Sequence, residues 1–141
     1  MSIEQKKIDL SKLYIEKSRN TYEEAVILRD SNKYLGASNR LYYAFFYLAN
    51  AFLALKGLSS RKHSGVRSLF DLHFVKTKLV DKRYSRIYNA LKEIREDSDY
   101  ECFYLIDKQQ VDENFEYVKE FIDATKNFVN SVEKDEIELE T

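Results

Sequence analysis

The sequence predicts an all-α fold, an antiparallel bundle of about five helices. Among its 141 residues there are no prolines and only three glycines, and sheet proteins draw on both for their turns. Apolar residues recur at steps of three and four along most of the chain, the period of a helix with one buried face. These periodic segments are long and are separated by short polar breaks, as in helical bundles. A chain of this length can bury one sizeable core. Residues 1–132 are therefore expected as a single domain, with 133–141 as an acidic tail that frays.

The first helix is expected from Ile8 to Arg29, on a stripe of Leu10, Tyr14, Ala25 and Leu28. Asp30-Ser31-Asn32 breaks it, with Ser31 or Asn32 as N-cap of the next. The second helix, Tyr34 to Lys56, has only Asn50 as a polar residue between Leu41 and Leu55. One stripe runs through Ala37, Leu41, Ala44, Leu48, Ala51 and Leu55, and a second through Tyr42, Phe46, Ala49 and Leu53. A helix apolar all round must be covered all round. The second stripe is therefore expected to form a homodimer interface. Gly57 is placed to end the helix at C′. Ser59-Ser60 can cap a third helix carrying Val66, Leu69, Phe70 and Phe74. Asp81 can cap a fourth, with Tyr84, Ile87, Leu91, Ile94 and Ser98 on its stripe. Residues 99–109, rich in apolar side chains, are expected to pack onto the bundle. The last helix has the cleanest seam, Val111, Phe115, Val118, Ile122, Thr125, Val129 and Val132, in alternating steps of four and three.

Net charge is −1, but the charge is unevenly spread. Residues 56–95 carry eleven Lys/Arg against three Asp/Glu, a net of +8, whereas 96–141 carry four against fifteen, a net of −11. A basic middle segment suggests a polyanionic partner. Alternatively, the two segments face and neutralise one another. One cysteine, Cys102, fits a reducing compartment. With a polar N-terminus and no apolar run long enough to cross a bilayer, the expectation is a cytoplasmic protein without a membrane anchor. No Gly-rich phosphate loop is present, and one Cys and two His cannot build a zinc cluster. Neither metal nor cofactor is expected.

Three motifs stand in order: Arg40-Leu41-Tyr42-Tyr43-Ala44-Phe45-Phe46, then Lys62-His63-Ser64-Gly65, then Arg95-Glu96-Asp97-Ser98-Asp99-Tyr100. Together they resemble the HEPN superfamily of prokaryotic helical proteins, in particular its small stand-alone branch. That branch shows an Arg-x-Tyr-Tyr-Ala helix, a Lys-His-Ser/Thr-Gly turn and an Arg-x-x-x-Asp-Tyr helix end. The resemblance extends from about Tyr22 to Val132 and implies a dimeric helical bundle. In many HEPN proteins an arginine is followed four to six residues later by a histidine. Two copies of that motif meet at the dimer interface and cut RNA without metal. Arginine offers permanently charged donors to a phosphate, histidine carries a proton near neutral pH, and RNA brings its own 2′-hydroxyl. Here Tyr100 stands where that histidine belongs, with Glu101 and Cys102 at the longer spacings. An unperturbed tyrosine titrates near pH 10, so the reading leans away from an enzyme.

The candidate catalytic residues are Arg95, Asp99 and Tyr100. Arg40, Arg61, Lys62, His63, Arg67 and Arg95 are candidates for holding RNA or phosphate. Each has a structural alternative. Arg95 can pair with Asp99 at i+4, and Asp99-Tyr100 can simply end the fourth helix. His63 can orient its turn, while Arg40 can reach the dimer cleft or pair with an acid. The leading expectation is a HEPN-like homodimer that binds RNA or a nucleotide-bearing partner in a toxin–antitoxin or defence module. Its nuclease motif would be degenerate. The resemblance implies a small nucleotidyltransferase-like protein as its partner. Two other readings stay open: a protein-interaction module without nucleic acid, and a metal-independent ribonuclease working through Tyr100 or His63 in an unfamiliar arrangement.

Overall fold

Five helices follow one another in a computed structural model that describes residues 2–139: α1 (Ile3–Asp30), α2 (Tyr34–Leu55), α3 (His63–Phe70), α4 (Lys82–Tyr100) and α5 (Lys108–Glu133). Helix α3 runs on into a π-helical turn over Asp71–Val75. No strand occurs among the described residues, and no helix there is long and apolar enough to cross a membrane.

Helix α1 begins earlier than its apolar pattern suggests, because the Ser2 hydroxyl accepts the Gln5 backbone N–H at 3.1 Å and caps it. Its buried face is Ile8, Ser11, Ile15, Ser18, Thr21 and Ala25. Leu10, expected on that face, stands 47% exposed. The reason lies in size. Ser11, Ser18 and Ala25 recur every seven residues, and Ser11 and Ser18 meet Ala51 and Ala44 of α2 in antiparallel register. The Ser11 hydroxyl donates to the Ala51 carbonyl and that of Ser18 to the Ala44 carbonyl, each at 2.7 Å. Small residues let the two backbones approach, and the serine hydroxyls are satisfied without water.

The break at Ser31-Asn32 is where the sequence places it, but Asn32 closes α1 rather than opening α2. Asn32 has φ of 60° and donates to the Arg29 carbonyl at 2.9 Å, and Lys33 N–H reaches Leu28 O at 2.7 Å. That is a Schellman ending with asparagine in the left-handed position. Lys33 then occupies the N-cap of α2 without a side-chain cap bond. Gly57, with φ of 68°, closes α2 in the same way, as expected.

Helix α2 packs against all four other helices and forms the centre of the bundle. Phe52 lies among Phe70, Phe74, Phe121 and Phe128, and Phe45 stacks on Phe121 at 4.5 Å between centroids. The flank reserved for a second copy is covered by the chain itself: Tyr42 is 2% exposed, and Ala49 and Leu53 are fully buried. These three therefore have no surface to offer a partner. Phe46 alone of that stripe keeps partial exposure, beside Tyr43 and Tyr47.

Helix α3 starts later than Ser59-Ser60 suggests. Lys62 holds the N-cap position, and the Ser60 hydroxyl accepts the Lys62 N–H at 3.2 Å. Asp81 caps α4, as expected, and Asp107 caps α5. The α5 seam is buried from Val111 through Val129, with Val132 half-buried. In contrast, the α4–α5 connection does not pack as expected. Tyr100, Phe103 and Leu105 are 88%, 94% and 91% exposed. The connection is anchored at its far end, where Ile106 meets the core and Lys108 Nζ donates to Asn32 Oδ1 at 3.2 Å. The residues before that anchor project into solvent. After α5 the chain turns, and Leu139 lies against the core. The remaining tail residues, 140 and 141, lie outside the described residues.

Candidate functional site

The sequence places Tyr88, Lys92 and Arg95 at i, i+4 and i+7 on one face of α4. It places Ser64, Arg67 and Ser68 at i, i+3 and i+4 on one face of α3. In the folded chain the two faces turn toward each other across Tyr42 of α2. Together with His63 and Glu96 they line a cleft of about 290 Å³.

Arg95 is held by aromatic rings. Its guanidinium carbon lies 4.8 Å from the Tyr42 ring centroid and 5.8 Å from that of Tyr43. Arg40 lies over Tyr43 as well, at 5.0 Å, so it borders the cleft through that ring. Cation–π contact fixes a guanidinium without neutralising it. Among the described residues Arg95 makes no salt bridge, and the ion pair with Asp99 is not formed. Arg67 donates to Asn89 Oδ1 at 2.7 Å and lies 3.7 Å from Asp71. Lys92 lies 3.7 Å from Glu96. Both of these ion pairs are i,i+4 contacts of partly exposed side chains, which are worth little and give way readily to a phosphate.

His63 enters from the first turn of α3. Its Nδ1 is 3.4 Å from the Tyr42 hydroxyl and its ring centroid is 4.4 Å from that of Phe46. Burial, and next the Arg95 guanidinium, push the imidazole below its ordinary pKa, so it is neutral at pH 7. Burial pushes the Tyr42 phenol up, with Arg95 opposing. The turn that delivers His63 requires Gly65. A Cβ there would stand 2.1 Å from the Ser60 hydroxyl oxygen and 2.9 Å from its Cβ, which explains the glycine in Lys62-His63-Ser64-Gly65.

At the floor lies Tyr88, 1% exposed, its hydroxyl without a hydrogen-bond partner. Burial raises its pKa strongly, so the hydroxyl stays protonated and able to donate. Arg67, Lys92 and Arg95, three cations lining one cleft with Tyr88, form an arrangement suited to an anion.

The fold thus gathers His63, Arg67 and Arg95 of the candidate residues, with Arg40 at the rim. Arg61 and Lys62 are exposed on the approach to α3. Asp99 and Tyr100 are not gathered: both are exposed at the end of α4, outside the cleft lining. Lys92, the Tyr88 hydroxyl and Ser64 are functional candidates that motif reading missed, although their helical spacing to Arg95 and Arg67 was readable. Tyr42, expected at a dimer interface, is a wall of the cleft. No cluster of three or more metal-ligating side chains occurs among the described residues.

The family model described as HEPN domain matches residues 11–128. The chain belongs to the HEPN family. A Thermotoga maritima protein named "UPF0332 protein" is 36% identical to this HEPN domain over 118 residues, 84% of each chain. A Methanocaldococcus jannaschii protein bearing the name "Putative toxin" is 32% identical over 125 residues, 89% of this HEPN chain and 84% of its own. A second M. jannaschii protein with that name is 36% identical over 86 residues, 61% of this chain and 64% of its own.

Proposed function

We propose that this HEPN domain binds single-stranded RNA, seating a phosphate in the cleft between α3 and α4. The observation that carries the reading is the convergence of Arg67, Lys92 and Arg95 on one small cleft with an unpartnered tyrosine hydroxyl at its floor. Arg61 and Lys62 extend the positive surface at the N-terminus of α3, and Arg40 extends it along α2. The relatives named as toxins support placing the domain in a toxin–antitoxin-type module of the cytoplasm. The family resemblance supports a homodimer and a small nucleotidyltransferase-like partner.

The test is fluorescence anisotropy with an unstructured RNA oligonucleotide across a salt series. Affinity falls linearly on a log–log plot, by about 0.7 per phosphate contact for single strands. Arg67→Glu, Lys92→Glu and Arg95→Glu each weaken binding and flatten that slope. Absence of binding at low salt sinks the reading.

One observation favours a second reading, a protein-docking role. Phe103 and Leu105 project from a connection that also carries Glu101 and Asp107, next to Asp99 and Tyr100 at the exposed end of α4. A segment of this kind fits a basic, apolar groove on another protein. Phe103→Ala with Leu105→Ala would then abolish capture of the partner and leave RNA affinity intact.

A further inference from the structure

The basic segment carries cations that the α3–α4 cleft does not use. Lys76 and Lys78 follow the π-helical turn, and Lys82, Arg83 and Arg86 lie at the start of α4, all of them exposed. We propose that the groove between α4 and α5, beside this basic corner, docks an extended acidic segment of a partner protein, with an apolar side chain seated between flanking carboxylates.

The groove exists because α4 and α5 each pack mainly on α2 and touch one another sparsely. It encloses about 410 Å³. From α4 it is lined by Arg83, Arg86, Ile87 and Ala90, and from α5 by Gln110, Asn114 and Tyr117, at i, i+4 and i+7. At about 100° per residue, Arg83, Arg86 and Ala90 lie half a turn away from Tyr88, Lys92 and Arg95. The groove and the α3–α4 cleft therefore occupy opposite sides of one helix. Ile87 and Ala90 are half-buried and Tyr117 is 40% exposed, which gives the groove an apolar middle.

Asn114 points to a ligand. It is 4% exposed, yet its amide nitrogen has no hydrogen-bond partner in the folded chain. Folding alone leaves that donor unmatched, which is unfavourable. Gln110, one turn earlier and exposed, adds a second carboxamide. A carboxamide both donates and accepts. An extended peptide has free backbone N–H and C=O groups to meet it, whereas a helical partner already uses those groups internally.

Charge sets the kind of peptide. Lys76, Lys78, Lys82 and Arg86 make no salt bridge among the described residues. Arg83 pairs with Glu120, an exposed contact that is worth little and yields to a competing carboxylate. Glu113 is the one carboxylate of the lining. With Glu120 it repels acids from the α5 side, so the partner's carboxylates lie over α4 and its apolar side chain between the helices. Arginine holds a carboxylate through paired N–H donors.

The experiment is a proton–nitrogen NMR titration of the full chain with a capped synthetic peptide, Glu-Asp-Leu-Phe-Asp-Glu, taken to millimolar concentration. The side-chain amide of Asn114 and the backbone signals of Ile87, Ala90, Gln110 and Tyr117 are expected to shift, while those of Ser64, Arg67 and Lys92 stay in place. Arg86→Glu and Asn114→Leu are each expected to weaken binding by about tenfold or more, in keeping with the loss of a hydrogen bond to a charged or buried group. The neutral peptide Gln-Asn-Leu-Phe-Asn-Gln is expected to shift the same signals far less. Equal shifts from both peptides, shifts confined to the α3–α4 cleft, or none at millimolar peptide overturn the proposal. It is also overturned if the groove signals ignore the peptide and respond instead to unstructured RNA, to anionic phospholipid vesicles or to protein concentration alone. The neutral peptide and Arg86→Glu, at an exposed position, decide the matter even if Asn114→Leu fails to fold. Failure of RNA to bind the cleft leaves this proposal standing, because the two sites share no residue.

Discussion

At the scale of single residues, the Tyr88 hydroxyl is one of three buried side-chain groups without a hydrogen-bond partner, with Ser38 and Asn114, and the one of the three that belongs to the cleft lining. Its ring serves the core, packing in tilted contacts with Phe45 at 4.8 Å and Tyr42 at 6.0 Å between centroids. The hydroxyl adds nothing to that packing, and a buried polar group without a partner costs about 1–3 kcal/mol. Phenylalanine would keep the ring and remove the cost. Tyr88→Phe is therefore expected to leave urea-unfolding stability unchanged or raise it by up to that amount, while RNA affinity drops. A clear loss of stability would mean that the hydroxyl has a partner in the folded chain. Tyr88 also shows why the site was only partly legible. Arg40, His63, Arg67 and Arg95 announce themselves by charge and motif, whereas a core tyrosine beside a cleft looks like any other core tyrosine. Tyr100 misled in the opposite direction. Its spacing from Arg95 matches the position of the motif histidine, but the fold leaves it in solvent.

At the scale of helices, α5 and α2 were legible because large apolar residues set their pattern. The buried face of α1 was not, because serine and alanine carry it. Ser11, Ser18 and Ala25 score as polar or neutral, yet all three are buried, and the two serines meet alanines of α2 at close range. Helix ends were read well at Asp81 and Gly57, and less well at Asn32, whose positive φ serves the end of α1 instead of the start of α2. The α1–α2 contact gives a prediction of its own. Ser18→Val adds bulk at a fully buried position and leaves the Ala44 carbonyl without its hydroxyl donor. Overpacking alone costs about 1–3 kcal/mol, so the midpoint of denaturant unfolding should fall accordingly. Ser18→Ala, which loses the hydrogen bond and adds no bulk, should fall less. Equal losses in the two variants would show that close approach is not what the serine provides.

At the scale of the whole molecule, the charge split resolves into two partly independent surfaces. Arg83 of the basic segment pairs with Glu120 of the acidic one, but other acids of α5 pair with α1, through Lys12–Glu133 and Arg29–Asp112. Of the cleft cations, Lys92 pairs across the segment boundary with its neighbour Glu96, whereas Arg67 pairs within the basic segment with Asp71 and Arg95 makes no salt bridge among the described residues. Apolar surface is exposed in several places, on α1 at Leu13 and Ile27 and at Phe103 and Leu105 of the α4–α5 connection, and α2 adds a partly exposed strip of Tyr43, Phe46 and Tyr47. That strip abuts the cleft through the contact of Phe46 with His63.

Assembly can now be tested more sharply than the sequence allowed, because the second stripe of α2 separates into a buried part and an accessible part. Leu53 is fully buried in the single chain. An aspartate there is an unpaired charge in the core, whose burial no contact repays. Leu53→Asp is therefore expected to unfold the protein, seen as loss of helical circular dichroism. Phe46 keeps partial exposure, so an aspartate at that position can reach water. If the strip is where two copies meet, Phe46→Asp keeps its helical signal and changes the mass from light scattering, from about twice 16.8 kDa to that of one chain. Wild type that scatters as a monomer at high concentration, or Phe46→Asp that remains a dimer, would exclude this strip as the interface. The exposed aromatic residues of the α4–α5 connection would then be the next surface to change, with Phe103→Asp in the same measurement.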